Sequence, residues 1–160
     1  MNGNGFRLEE VSDKRWLAAF IRERWGDPGI ISNGTLHNSE QLSAIRATDG
    51  ADLYGVATWF PNNGSIELVT LDSLKPGRGV GTALIDAVVK VAREARSNRL
   101  WLITSNDNIE AIRFYQKRGW RLSALRPGAM IENRRLKPAI PEVGNHGIPI
   151  RDEIELEYPL

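Results

Sequence analysis

Residues 67–95 read ELVTLDSLKPGRGVGTALIDAVVKVAREA: an apolar stretch, a glycine-rich loop and an amphipathic run in immediate succession. Residues 65–71 carry the pattern of a strand. Gly77, Gly79 and Gly81 then stand at alternate positions, removing side chains where backbone can meet a ligand, and each costs conformational entropy on folding. From Gly81 the period turns helical, with Leu84, Val88, Val91, Ala92 and Ala95 on one face. Exposed N–H groups at a helix N-terminus, reinforced by the helix dipole, favour phosphate oxygens. Arg78 and Lys75 add positive charge there, and the Thr82 hydroxyl adds a donor. The lysine of a nucleotide-hydrolase P-loop is missing, and Leu84 stands where a dinucleotide fingerprint needs its third glycine. Taken alone, the loop is a pyrophosphate cradle or a plain glycine turn.

Working outward, Arg99 to Thr104 (RLWLIT) is a near-continuous apolar run, the pattern of a buried parallel strand. Residues 106–119 follow as a helix that Gly119 stops, then a strand at 120–125 and a last alternating strand at 152–158. Upstream, residues 5–11 read as a strand. Ser12 reads as an N-cap, and a helix carrying Trp16, Leu17, Phe20, Ile21 and Trp25 ends at Gly26. Residues 26–40 form a long connection with a short extended piece at Ile30 and Ile31. Strands at 42–48, 53–60 and 65–71 are separated by Asp49-Gly50 and by PNNG, which predicts an antiparallel meander. Residues 126–151, with four prolines, are too long and broken for an ordinary loop and read as a lid or a mobile insertion.

The bulk numbers narrow the function. A chain of 160 residues, 41% hydrophobic and 26% charged, is expected to form one soluble domain spanning 1–160. A net charge of +1 argues against a nucleic-acid partner, and no apolar run approaches the roughly 18–20 residues of a membrane span. The N-terminus lacks an export pattern, so a cytoplasmic location is expected. With no cysteine there is neither a disulfide framework nor a thiol nucleophile, and with two distant histidines no metal is expected.

Two motifs carry a resemblance. Pro76-Gly77-Arg78-Gly79-Val80-Gly81 stands where the GNAT superfamily of acyl-CoA-dependent N-acetyltransferases has its coenzyme A loop, [QR]-x-x-G-x-[GA]. Asn108 to Trp120 (NIEAIRFYQKRGW) is similar to that family's second hallmark helix, N-x-x-A-x-x-[FL]-Y-x-[KR]-x-G-[FW]. The chain departs from the pattern at Pro76, where one phosphate donor is lost and Lys75 or Arg78 is the expected substitute. The closing HGIPIRDEIELE also looks like a group of bacterial members. The resemblance implies an α/β (α+β) fold with a mixed, mostly antiparallel sheet of six to seven strands flanked by helices. It also implies acetyl-CoA as co-substrate and a small-molecule or peptide amine as acceptor. Since the last strand of this fold often meets a second subunit, a homodimer is expected.

It further implies residue roles. Tyr115 meets the departing thiolate as a general acid, a task suited to a phenol that ionises near pH 10; its alternative is plain packing on the sheet. Leu71, Asp72, Arg78, Gly79, Val80, Gly81, Thr82, Asn108, Ala111, Phe114 and Tyr115 form the cofactor site. Asn108 meets the pantetheine arm or caps its helix, and a strand bulge near Leu71 frees N–H groups for the acetyl carbonyl. An amine with a pKa near 10.4 must lose a proton before attack, and Glu67 on the strand entering the loop is the expected base, with Asp72 second. His37 and His146 lie in irregular segments expected to overhang the acceptor, where each is a base, an acceptor-binding residue or a plain surface histidine. Trp59, beside a hairpin turn, is expected to reach a groove, whereas Trp16, Trp25 and Trp101 read as core. Arg134, Arg135 and Lys137 are either an attractor for an acidic acceptor or a solvated face. The alternative function is a non-catalytic acyl-CoA sensor with the same fold, and a third is a nucleotide-binding regulatory domain.

Overall fold

A computed structural model describes residues 3, 5–27 and 29–160; Pro28, within the expected 26–40 connection, lies outside them. The strands are β1 (Arg7–Glu10), β2 (Ile30–Ser32), β3 (Thr35–His37), β4 (Ser43–Asp49), β5 (Asp52–Asn62), β6 (Ser65–Ser73), β7 (Arg99–Ser105), β8 (Arg121–Arg126) and β9 (Glu153–Tyr158). The helices are α1 (Lys14–Trp25), α2 (Val80–Glu94), α3 (Ile109–Lys117) and α4 (Ala129–Leu136). Among the described residues the main sheet has seven strands in the order β1-β4-β5-β6-β7-β9-β8. Only β6 and β7 pair in parallel; the other contacts are antiparallel. The meander expected from Asp49-Gly50 and PNNG is β4-β5-β6, and the parallel neighbour expected from RLWLIT is β7.

Burial on the two faces follows the strand period. Ile66, Leu68, Leu100, Leu102 and Leu156 point to the side covered by Leu84, Ile85, Val88 and Ala92 of α2 and by Tyr115 of α3. Each such fully buried aliphatic contributes about 1.5–3 kcal/mol. Leu17, Phe20 and Ile21 of α1 cover the opposite face over Val56, Ala44 and Leu42.

Three local details differ from the sequence reading. Asp13 rather than Ser12 caps α1, its Oδ1 accepting from the Arg15 and Trp16 N–H groups at 3.0 and 3.1 Å. The extended piece at Ile30 and Ile31 is one arm of a separate hairpin, β2-β3, turning at Asn33-Gly34 with φ of 51° and 73°. Residues 126–151, read as a lid or a mobile insertion, carry regular structure of their own. They contain α4 and a short turn in which Val143 and Pro149 pair. Arg134 fastens that segment by donating to the carbonyls of Ile140, Pro141 and Ile150.

Candidate active site

Strands β6 and β7 pair from Ser65–Arg99 to Leu68–Leu102, and there the ladder stops although both strands continue. The two diverge, and beyond Leu68 the β6 backbone groups facing β7 lack their strand partner. The bulge sits just there: Thr58 pairs with Thr70 and Trp59 with Leu68, so Val69 is the extra residue, two positions before the expected Leu71. A slot opens between the strands, lined by Leu71, Thr104, Asn108, Ala111 and Tyr115, and on its other side by Trp25.

The slot runs into a groove of about 470 Å³ bounded by the glycine loop, the first turn of α2 and the face of α3. Leu71, Asn108, Ala111 and Tyr115 line both. The three glycines have separable reasons. Gly77 and Gly79 both have φ of 74°, a left-handed conformation that L side chains avoid. A Cβ on Gly81 would lie 3.1 Å from Cζ of Phe114, so this glycine lets α3 pack against the start of α2. Gly79 caps α2 with no side-chain hydrogen bond, and the first N–H groups of the helix have no intrahelical acceptor. Gly79 and the first residues of the helix, Val80, Gly81 and Thr82, line the groove.

Tyr115 lies at the inner end of this groove. Its ring packs edge-on against Phe114 and Trp120, at centroid distances of 5.4 Å each. Burial, then the nearby Asp72 charge, pushes the phenol well above its ordinary range, so it holds its proton throughout the physiological range. Asn108 caps α3, its Oδ1 accepting from the Ala111 N–H at 3.3 Å, while its side chain also lines the groove.

Glu67 is on the opposite side of the sheet, beneath the β2-β3 hairpin. Oε2 of its buried carboxylate accepts from the Ser32 hydroxyl at 2.5 Å, and His37 Nε2 stands 3.3 Å from Oε1. That nitrogen is buried and, being off the line of a hydrogen bond to Glu67, has no hydrogen-bond partner among the described residues. Glu67 and His37 share a small cleft with Phe60 and Trp101. The next hairpin residue reaches further, the Asn33 N–H donating to Glu153 Oε2 at 3.2 Å. Lys137 of the α4 C-terminus holds the Gly29 carbonyl at 2.7 Å and also binds that of Trp25. Hairpin, α1 and α4 together roof this face of the sheet.

Residues 9–120 match the family described as Acetyltransferase (GNAT) family. The chain belongs to this family. It is 39% identical over 142 residues to the uncharacterized protein YdhI of Bacillus subtilis (strain 168), covering 88% of this chain and 89% of that one. The uncharacterized protein YxbD of the same organism is 36% identical over 144 residues, covering 89% and 91%. The fold is also that of a GNAT family acetyltransferase from Elizabethkingia anophelis solved with acetyl-CoA bound. That structure gives a TM-score of 0.76 at 18% identity, covering 98% of this chain and 99% of that one. No helix among the described residues is long and apolar enough to cross a membrane.

Within this acetyltransferase frame, most of the expected cofactor residues converge: Leu71, Gly79, Val80, Gly81, Thr82, Asn108, Ala111, Phe114 and Tyr115 line one groove. Arg78 and Lys75 do not. Both lie over the Tyr54 ring, at 5.4 and 5.7 Å from its centroid. Asp72 is engaged too, its carboxylate accepting from Arg24 Nε at 3.2 Å and Trp25 Nε1 at 2.9 Å, which pins the end of α1 to β6. Glu67 and Tyr115 lie in separate clefts on opposite faces of the sheet, Glu67 where β6 still pairs with β7 through Trp101 and Tyr115 where the two strands have parted.

Other expectations are corrected. Trp59 is buried in the core and reaches no groove, whereas Trp25, read as core, is 38% exposed and walls the slot. His146 is exposed and shares a 2.6 Å hydrogen bond with Glu110, which places it on the rim of the groove along α3. That contact, after the backbone hydrogen bond at the helix start, holds the Glu110 carboxyl below its usual range. The Arg134–Lys137 cluster presents no basic patch at the site: Arg134 and Lys137 bind carbonyls, and Arg135 pairs with Glu132 at 3.1 Å on the surface. Sequence reasoning missed Ser32, Trp25 and Arg118; the Asn33-Gly34 turn signal pointed to the first.

Proposed function

We propose that the protein is an acetyl-CoA-dependent N-acetyltransferase that moves the acetyl group directly to the amine of a cationic acceptor. The observation that carries this is the groove that runs from the glycine loop to Tyr115 at the split between β6 and β7, with the carboxylate of Glu67 buried on the opposite face of the sheet. The donor groove ends at Tyr115, and the face roofed by the hairpin carries Glu67.

The groove suits the donor in each of its parts. Backbone N–H groups at the start of α2 meet the diphosphate, Asn108 meets the amide-bearing arm, and Leu71 and Tyr115 flank the thioester. On the far side, Glu67 takes a proton from the acceptor ammonium through an intervening water, leaving a neutral amine to attack the thioester carbon. The N–C bond forms and the C–S bond breaks. Tyr115 donates its proton to the departing sulfur and regains one as the acylated nitrogen sheds its own, and Glu67 passes the proton it took to solvent. The high phenol pKa keeps that proton available. The chain contains no cysteine, so it has no thiol to carry the acetyl group between donor and acceptor.

The acceptor is assigned a positive charge because Glu67 and Glu153, buried acids of this face, pair with no Lys or Arg among the described residues, while the nearby basic residues of α4 are engaged elsewhere. Calorimetry with acetyl-CoA, beside a thiol-release assay over cationic and acidic amines, tests the reading. Binding without release on any amine would favour an acyl-CoA sensor.

A further inference from the structure

Pro76 offers no side-chain donor to the glycine loop, and the two loop cations turn away from the groove onto Tyr54. Arg78 goes further, its guanidinium lying beside Gly5. Among the residues lining the donor groove, Arg118 is the one Lys or Arg side chain. It comes from the end of α3, yet it reaches the start of α2. Its Nε donates to the Thr82 hydroxyl at 2.9 Å and its Nη1 to the Phe114 carbonyl at 2.9 Å. The guanidinium stacks over the Phe114 ring, 3.5 Å from its centroid, and that ring rests against Gly81.

Two of its N–H groups are thereby engaged, leaving three of the five that a guanidinium offers. They are held beside the first turn of a helix whose own N–H groups lack intrahelical acceptors. A planar fork with fixed orientation suits phosphate oxygens better than a flexible ammonium.

We propose that Arg118 grips the diphosphate of the donor, replacing the side chain absent at position 76 in a role that Lys75 and Arg78 do not take. This inference rests on the reading of the groove as the acetyl-CoA site. A second phosphate source must be separated from the diphosphate. Arg113 and Lys117 join Arg118 around a hollow further out along α3, a setting that suits a phosphate on the ribose instead.

The test is binding of three donors to the wild-type protein, R118Q, R118K and the double variant K75Q/R78Q. The donors are acetyl-CoA, its 3′-dephospho form and S-acetylpantetheine, the last followed by ligand-observed NMR. R118Q is expected to weaken both phosphate-bearing donors by about 10- to 100-fold, as a lost charge-assisted hydrogen bond does, and to leave S-acetylpantetheine unchanged. R118K is expected to recover part of the loss, and K75Q/R78Q to stay within about 3-fold of wild type, as expected for side chains turned away from the groove onto Tyr54.

Equal weakening of all three donors by R118Q would make Arg118 a packing residue and overturn the inference. Weakening confined to the 3′-phosphorylated donor would assign it to the ribose phosphate, and a loss in K75Q/R78Q instead would return the role to the loop. A wild-type protein that binds no acetyl-CoA would remove the donor reading itself, whereas failure of the R118Q pattern alone leaves that reading standing.

Discussion

Trp25 and Asp72, far apart in sequence, are joined by a 2.9 Å hydrogen bond from the indole N–H to a buried carboxylate. The contact ties the end of α1 to β6 beside the split that separates it from β7, and it makes Trp25 a wall of the slot. Asp72 accepts from Arg24 in the same way, so the acid expected as a second base is a structural tie. Trp25→Phe keeps the ring and loses the donor. The expected result is a loss of about 1–3 kcal/mol in chemical denaturation, because a buried acceptor is left short of a partner.

Tyr115→Phe should lower turnover by about 10²-fold with little change in acetyl-CoA affinity. The pH dependence follows from the raised phenol pKa. Since the proton-bearing form persists above the ordinary value near 10, the wild-type rate should not fall between about pH 7 and 10 through loss of this proton. Steady-state rates across that window check it; a descending limb that disappears in the variant would contradict it.

Glu67→Gln should reduce kcat by about 10²- to 10⁴-fold at neutral pH while leaving the acetyl-CoA dissociation constant unchanged. The amide keeps an acceptor for Ser32, so the hairpin contact survives. Kinetics with calorimetry separate the lost base from a disturbed donor site.

Asn108 has two tasks that a pair of variants separates. Asn108→Ala removes the cap on α3 and should destabilise the fold by about 0.5–2 kcal/mol. Asn108→Asp keeps the cap, so its stability should stay near wild type. If the amide also meets the pantetheine arm, both variants weaken acetyl-CoA binding; unchanged binding in Asn108→Asp would leave only the cap.

Glu155 shows how charge supports the sheet. Burial opposes its ionisation, but hydrogen bonds from Arg126 and Ser123 and the charge of Arg99 prevail and hold the carboxyl below its usual range. A depressed carboxyl pKa contributes stability above its unfolded value, and that contribution is lost as pH falls through the folded one. Glu155→Gln should therefore lower stability at pH 7 and flatten its dependence on pH in the acid range, read from urea midpoints between about pH 3 and 7.

The central α2–α3 region was legible in the sequence because its signals are local. Gly77 to Gly81 announce a backbone cradle, the period from Leu84 to Ala92 announces the helix, and Asn108 to Trp120 announce the second helix and its stop. The β2-β3 hairpin was harder to read, since strands of three residues carry almost no period and the Asn33-Gly34 turn lay inside a segment dominated by turn formers. Side-chain partners such as Trp25 with Asp72, or His37 with Glu67, depend on how α1 and the hairpin fold back over the sheet, which no local pattern encodes. Arg118 escaped notice for the same reason: at the end of α3 it looks like a solvated cation, and only the packing of Phe114 on Gly81 brings it to the start of α2.

The central claim is direct acetyl transfer to a cationic amine. Its most direct test is to incubate the protein with acetyl-CoA and a panel of cationic, neutral and acidic primary amines, recording CoA release and acceptor mass together. The account predicts that some cationic amines gain one acetyl group per CoA released, and that this turnover collapses in Glu67→Gln. Tight binding of acetyl-CoA with no CoA released on any amine, or acetylation confined to acidic acceptors, would contradict it.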